Sequence, residues 1–332
     1  MMRAAIIGLG WWGRTIVDAV QGKSDQITFV AANTRTRAKA EDFCRERKIE
    51  LRDDLDAILK DPKIDAVVYT TPHSQHEAHI KRAAQAGKHV CVEKPFTLTV
   101  ASARSALDAV KKAGVVLGID YQRRFHPSIG EIRARVRDGR LGAIGFGVAE
   151  ATAPGGLFVP KESWRVNPDE TPVGAMTGIG VHLVDGFIDL CGEIGEVYCI
   201  NTRRAAPLVD DTTTVMLRHK NGVTSSFNCS IASAANYRVA VYGARGLAET
   251  ERNLDGFRFS PAPEKPGQPP STQPEAVDHK GINPVKLVME AFATAVDGGA
   301  AFPITADQII HGVAVFEAIV KSANTGQPVK VA

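Results

Sequence analysis

Glu93, Lys94 and Pro95 stand in a row directly behind the apolar run Val90-Cys91-Val92. Such a run reads as a buried strand. Open α/β sheets keep their ligands just past the carboxyl ends of strands like this one. A lysine placed there can hydrogen-bond a substrate hydroxyl and, once desolvated, help to move protons. The plainer reading is an ordinary strand-end charge pair, and these residues alone leave both open. A second constellation lies at the start of the chain. Ala4-Ala5-Ile6-Ile7 runs into Gly8, Gly10 and Gly13, the G-x-G-x-x-G spacing. Glycine is needed three times there: for a tight turn, for close approach of backbone to a pyrophosphate, and for helix-on-strand packing. The N–H groups at the following helix start would hold the phosphates. Trp11 and Trp12 lie inside this loop. One ring is expected beneath the loop and the other beside the cofactor.

The second strand of such a unit ends where cofactor choice is made. Ile27–Ala32 is apolar and is followed by Asn33-Thr34-Arg35-Thr36-Arg37. No acid stands at the tip to bind a ribose 2′-hydroxyl, whereas Thr34, Arg35 and Arg37 suit a 2′-phosphate. NADP is therefore expected over NAD, with NAD still possible. The plainer reading makes both arginines solvated residues at a helix start. His73, His76 and His79 are spaced by three, but no carboxylate or cysteine cluster accompanies them, so no metal site is expected.

The elements that must position these residues follow from the pattern. Continuous apolar strands alternate with helices over residues 1 to about 120, which means a parallel sheet covered on both faces. Expected strands are Arg3–Ile7, Ile27–Ala32, Ala66–Thr70, His89–Val92 and Val115–Ile119, and Arg37–Lys48 reads as one helix. Afterwards the pattern changes. A helix over Val181–Leu190 precedes successive strands at Val197–Arg203, Thr213–Arg218, Val223–Ser230, Arg238–Tyr242 and Leu247–Thr250. Successive strands imply an antiparallel sheet. Proline-rich Ser260–Gly281 reads as a surface loop, and two helices end the chain. The expected division is 1–121 and 122–332.

The bulk numbers bound the partners. Forty basic and 37 acidic residues in 332 leave a net charge of +3, which favours neither nucleic acid nor an anionic membrane. No apolar run is long enough to span a bilayer. The five cysteines form no C-x-x-C pair, which fits a reducing cytoplasm better than a disulfide scaffold.

GLGWWG (8–13), TTPHSQH (70–76), AGKHVCVEKP (86–95), YQRRFHP (121–127), SWR (163–165) and GIGVHLVD (178–185) together resemble the Gfo/Idh/MocA oxidoreductases. The resemblance covers nearly the whole chain. It implies an α/β fold: a Rossmann domain, then an α+β domain with a large open antiparallel sheet that commonly forms an oligomer interface. It also implies NAD(P)-dependent oxidation or reduction at a carbinol carbon of sugars, inositols or related cyclic substrates.

By position, the resemblance makes Lys94 the lysine that contacts the reacting oxygen and the nicotinamide ribose, with Glu93 beside it. It makes His182 the group that exchanges the hydroxyl proton. Thr71, Pro72 and His76 match the loop along the cofactor's ribose and nicotinamide. Gln122 and Arg123 are expected to line the cleft, and Trp164 and Arg165 to reach toward cofactor and substrate. Many members carry an aspartate four residues before the histidine; here that position is Gly178. Its absence removes a substrate hydrogen-bond partner, while Asp185 remains one turn after His182. The sugar or inositol substrate is thus less firmly implied than the redox chemistry.

Two other functions compete. One is a hydrolase or lyase that retains its cofactor and oxidises the substrate transiently. The other, a non-enzymatic nucleotide sensor, fits less well because both Lys94 and His182 are kept. The second domain has too few helices to cover both sheet faces. A two-fold dimer, or a tetramer of such dimers, is therefore expected through the uncovered face.

Overall fold

The computed structural model describes residues 1–332. The chain divides into two compact units, Met1–Gln122 with Asn283–Val313, and Arg123–Ile282 with Ala314–Ala332.

The first unit contains six parallel strands: β1 (Met2–Ile7), β2 (Ile27–Asn33), β3 (Glu50–Leu51), β4 (Ala66–Tyr69), β5 (His89–Val92) and β6 (Leu117–Ile119). Their order is β3-β2-β1-β4-β5-β6, so the winding reverses between β1 and β4. That reversal leaves a crevice at the carboxyl ends of the strands. The apolar runs read from the sequence form the centre of this sheet; β4 is buried at every position. The helices are α1 (Trp11–Val20), α2 (Glu41–Glu46), α3 (Leu55–Lys60), α4 (His76–Gln85) and α5 (Val100–Ala113). Thr99 caps α5 by accepting from Ser102 N, and Gly114 ends it at φ +66°. The expected helix Arg37–Lys48 is broken: a 3₁₀ turn, Arg37–Lys39, precedes α2.

Residues 283–313 correct the expected division, which placed everything after residue 121 in the second domain. They contain α8 (Pro284–Val296), which packs on α1. Phe292 lies so close to Gly118 that a β-carbon there would stand 2.9 Å from its ring. Ser24 and Gln26 bond Glu290 and Thr294 at 2.8 Å each.

The second unit is built from α6 (Pro127–Arg137), α7 (Val181–Cys191) and a nine-stranded sheet. The strands are β7 (Ile144–Thr152), β8 (Ile194–Thr202), β9 (Thr212–His219), β10 (Thr224–Ser230), β11 (Asn236–Gly243), β12 (Gly246–Glu251), β13 (Gly256–Pro261), β14 (Glu275–Asp278) and β15 (Val329–Lys330). Their order is β14-β13-β12-β11-β7-β10-β9-β8-β15. The sheet is mixed rather than purely antiparallel, because β7 and β10 run parallel. Central β7 was not expected. Its glycines dilute the strand signal, yet a β-carbon at Gly147 would stand 2.6 Å from the Phe187 ring of α7. The expected loop Ser260–Gly281 contains β14, which pairs with β13. Arg135 binds Glu275 of β14 and stands over the Phe257 ring of β13 at 4.2 Å, which fixes that edge. Helix α9 (Ala306–Thr325) closes the chain before β15. No helix is long and apolar enough to cross a membrane.

The loop entering β9 hangs on one carboxylate. Asp211 is fully buried and its Oδ2 accepts from the backbone N–H groups of Arg204, Ala205 and Ala206 at 3.0, 2.6 and 2.6 Å. Burial alone would raise this carboxyl; the N–H groups of Ala206 and Ala205 and the Thr212 hydroxyl outweigh it and hold it below its ordinary value. Its contribution is therefore complete above about pH 4 and lost as pH falls further. Asp211→Ala should cost about 2–4 kcal/mol by leaving these donors unmet. Urea unfolding at neutral pH checks it, and an unchanged midpoint contradicts it.

Candidate active site

Gly8 leaves β1 at φ +100°, and a β-carbon there would stand 2.8 Å from the Thr70 carbonyl oxygen. A β-carbon at Gly13 would stand 2.1 Å from the Gly8 carbonyl oxygen. Gly10 is different: nothing lies within 4 Å of its missing side chain. Two glycines thus let the turn pack on β4, and the third keeps its outer side clear. Thr70 N donates to Ile7 O at 2.9 Å, and its hydroxyl donates to Gly8 O. Helix α1 begins at Trp11 with no acid in its first turn and no side chain capping it. Its first N–H groups remain available for an anion. The turn therefore fits the pyrophosphate of a dinucleotide, which Gly8, Gly10 and Gly13 would hold.

At the tip of β2, Asn33 turns its amide onto Arg52 O and Asp53 O at 2.9 and 3.1 Å. Arg37 is paired with Asp53 at 2.7 Å and with Glu41 at 3.2 Å. Arg35 is exposed and has no acidic partner, with Thr34 half-buried before it. Of the two expected guanidinium groups, Arg35 is the one not already held by carboxylates.

The loops after β4 and β5 are tied together by His76, which is fully buried. Its Nδ1 lies 3.0 Å from Pro95 O and its Nε2 lies 3.1 Å from Thr71 O. His76 thus holds Thr71, Pro72 and the Lys94–Pro95 segment in place, a bracing role that the sequence did not reveal. His79 stacks on Tyr69 at 4.7 Å and meets the Thr71 hydroxyl at 3.0 Å. Burial holds its imidazole down at about 4, so it is neutral near pH 7. His73, His76 and His79 face different partners, and no cluster of side chains is arranged to hold a metal.

Glu93 is buried at the carboxyl end of β5, and its N–H bonds Tyr69 O at 2.9 Å. Lys94, half-buried, follows it. The parallel register pairs Val92 with Ile119, so the next residues, Glu93 and Asp120, stand side by side. Asp120 accepts the indole N–H of Trp12 at 3.0 Å. Trp12 is therefore the ring turned inward, whereas Trp11 is 75% exposed. Burial raises both carboxyls, Glu93 well above its ordinary value, and Lys94's charge works against the rise. Gln122 is buried two residues after Asp120. Asp120 escaped the sequence reading, although an acid one residue past the apolar run Val115–Ile119 was a usable signal.

In the second unit, a π-type turn, Met176–Gly180, leads into α7. It places His182 in the first turn, 5% exposed. Gly178 has room: the nearest atom to its missing side chain is Ile231 Cγ2 at 3.6 Å. Asp185, expected at the substrate, is held instead by Arg124 at 2.9 Å. Arg124 also binds Asp189 at 3.0 Å, and Asp189 binds Arg133 at 2.5 Å. Burial lifts the Asp185 carboxyl to about 6 against the pull of Arg124. Asp185 therefore fastens α7 to the 122–125 turn. Arg123 lies over the Tyr237 ring at 5.1 Å, and Arg165 over Trp164 at 4.3 Å.

The glycine geometry separates binding from folding. Gly10→Val should unfold near the wild-type temperature yet weaken NADH and NADPH by about tenfold or more, ~1.4 kcal/mol. Gly13→Ala should lower both stability and binding. Calorimetric titration with thermal melts checks this; wild-type affinity in Gly10→Val would remove the turn from the site.

Comparison with known proteins finds relatives for both halves of the chain. Residues 2–121 match the model for an oxidoreductase family with an NAD-binding Rossmann fold, and residues 129–249 match the Gfo/Idh/MocA C-terminal domain. A D-apiose dehydrogenase of Paraburkholderia graminis is 26% identical over 99% of this chain and 89% of that enzyme. The crystal structure of an aldose–aldose oxidoreductase from Caulobacter crescentus, complexed with glycerol, aligns at TM-score 0.83 and 26% identity, over 99% of each chain. A levoglucosan dehydrogenase complexed with NADH and levoglucosan aligns at TM-score 0.86 and 21% identity, again over 99% of each, which speaks to fold alone. With both halves matched and a dinucleotide turn of the required geometry, the chain belongs to the Gfo/Idh/MocA family of NAD(P)-dependent oxidoreductases.

Proposed function

We propose that this oxidoreductase is an NADP(H)-preferring dehydrogenase or reductase acting at a carbinol carbon of a sugar, polyol or related cyclic hydroxy compound. The observation that carries it is Lys94 at the carboxyl end of β5, one strand from the β1–β4 crevice where the glycine turn lies. Similarity to a D-apiose dehydrogenase and an aldose–aldose oxidoreductase supports the substrate class. Exposed Arg35 without an acidic partner, and no carboxylate at Asn33, support a 2′-phosphate.

A bound nicotinamide supplies the hydride acceptor or donor. Lys94 Nζ donates a hydrogen bond to the reacting oxygen and orients it. His182 takes the hydroxyl proton in oxidation and returns it in reduction. Gly8, Gly10, Trp11, Trp12, Gly13, Thr34, Arg35, Thr71, Pro72, Glu93 and Gln122 bind or frame the cofactor. Arg123, Trp164 and Arg165 shape the substrate pocket. All five cysteines are buried and unbonded, in keeping with a reducing cytoplasm.

Screening polyols, aldoses and cyclic diols with NADP⁺ and NAD⁺ tests this reading. Turnover should be faster with NADP⁺, and Arg35→Ala should weaken NADP(H) far more than NAD(H). Lys94→Ala and His182→Ala should each lower turnover by roughly 10²–10⁴-fold where chemistry is rate-limiting. Equal or tighter binding of NAD⁺ sinks the cofactor assignment, and unchanged turnover in His182→Ala removes that residue from the mechanism.

A second copy of the chain is the partner we assign to the outer sheet face. Phe146, Ile200 and Met216 lie exposed there on β7, β8 and β9, and Phe146 stacks on Tyr242 at 4.4 Å. Apolar groups grouped this way mark an interface. Light scattering should give a dimer or tetramer, with Met216→Glu shifting it to monomer. A wild-type mass of 35.6 kDa would exclude the assembly.

A further inference from the structure

Asp120 is 1% exposed and Glu93 is 8% exposed, an expensive place for two acids. Asp120 Oδ2 accepts from the Trp12 indole. Asp120 Oδ1 and Glu93 Oε1 are buried and meet no donor group. The strand register sets these side chains next to each other, and burial together with the charge of Asp120 pushes the Glu93 carboxyl well above its ordinary value. Two carboxylates cannot share a hydrogen bond unless one keeps its proton. A single proton between them satisfies both orphaned oxygens and leaves one negative charge beside Lys94.

Core packing alone would not choose this arrangement, since apolar residues of similar volume would cost less. What the pair adds is directional. Asp120 carries it to the indole of the second residue of α1, one residue before Gly13 and two after Gly10. Trp12 has no other way to fix its ring orientation by hydrogen bonding, because an indole has one donor and no acceptor. The ring belongs to the first turn of α1, whose N–H groups would face a pyrophosphate.

We propose that Asp120, with Glu93 as its proton-sharing partner, is a positioning residue for the dinucleotide: it clamps the Trp12 indole and so holds the glycine-rich turn in its binding geometry. This inference rests on the dinucleotide reading of the first unit. Titrating the wild-type apoprotein with NADH and NADPH tests that reading, and the variant ratios test the clamp.

Trp12→Phe keeps an aromatic ring, though a smaller one, without the donor, and Asp120→Ala removes the acceptor. Each should weaken the tighter-binding dinucleotide about tenfold, and the double variant should also lose only about tenfold because both break one interaction. Asp120→Asn keeps an acceptor for the indole and offers Glu93 a donor, so it should stay within about twofold of wild type. Multiplying losses in the double variant, or an Asp120→Asn protein as weak as Asp120→Ala, overturns the proposal. Should Asp120→Ala fail to fold, Trp12→Phe decides it: wild-type affinity there overturns the clamp.

Discussion

Everything at this site depends on backbone meeting backbone without a side chain between. The turn after β1 lies against the end of β4, with the Thr70 carbonyl and hydroxyl where β-carbons of Gly8 and Gly13 would stand. Only that approach brings the start of α1 to the point where the sheet's winding reverses. A methyl at either position forces the turn away and takes the helix start with it. Gly10 carries no such burden, so its side of the turn stays open for a ligand.

Buried polar contacts then set the second layer. His76 spans from Thr71 O to Pro95 O, so the loops after β4 and β5 move as one body. Glu93 and Asp120 extend the β5–β6 register by one residue and reach the glycine turn through Trp12. In the second unit, Arg124 joins Asp185 and Asp189 of α7, which fixes the helix that carries His182. Such pairs add little net stability but specify geometry, because breaking one leaves a buried charge unmet. Binding groups held this way lose little freedom when a ligand arrives.

Much of this was legible from residue order, for a physical reason. Strands buried on both faces must be continuously apolar, so β1, β4 and β5 announce themselves. The glycine spacing encodes a positive φ at Gly8 and a close backbone approach at Gly13, both of which glycine alone admits. What failed depends on contacts remote in sequence. β7 is central, yet its Gly147 admits Phe187, which lies 40 residues away by number. The apolar pattern of α8 does not say which sheet it covers, and Phe292 against Gly118 decides that. Asp185 and Arg37 looked available as ligand contacts until Arg124, Asp53 and Glu41 were found holding them. Spacing along the chain cannot reveal such pairings, since it reports residue type and not direction.

Hydrogen–deuterium exchange of the apoprotein, with and without saturating NADH or NADPH, tests most directly whether the dinucleotide sits on the glycine turn at the β1–β4 reversal. Amide protection should rise in residues 8–16, 70–76 and 93–96, the segments that meet at the carboxyl edge of the first sheet. Unchanged exchange in these three segments while the dinucleotide is bound, or protection confined to the second unit, would contradict the account.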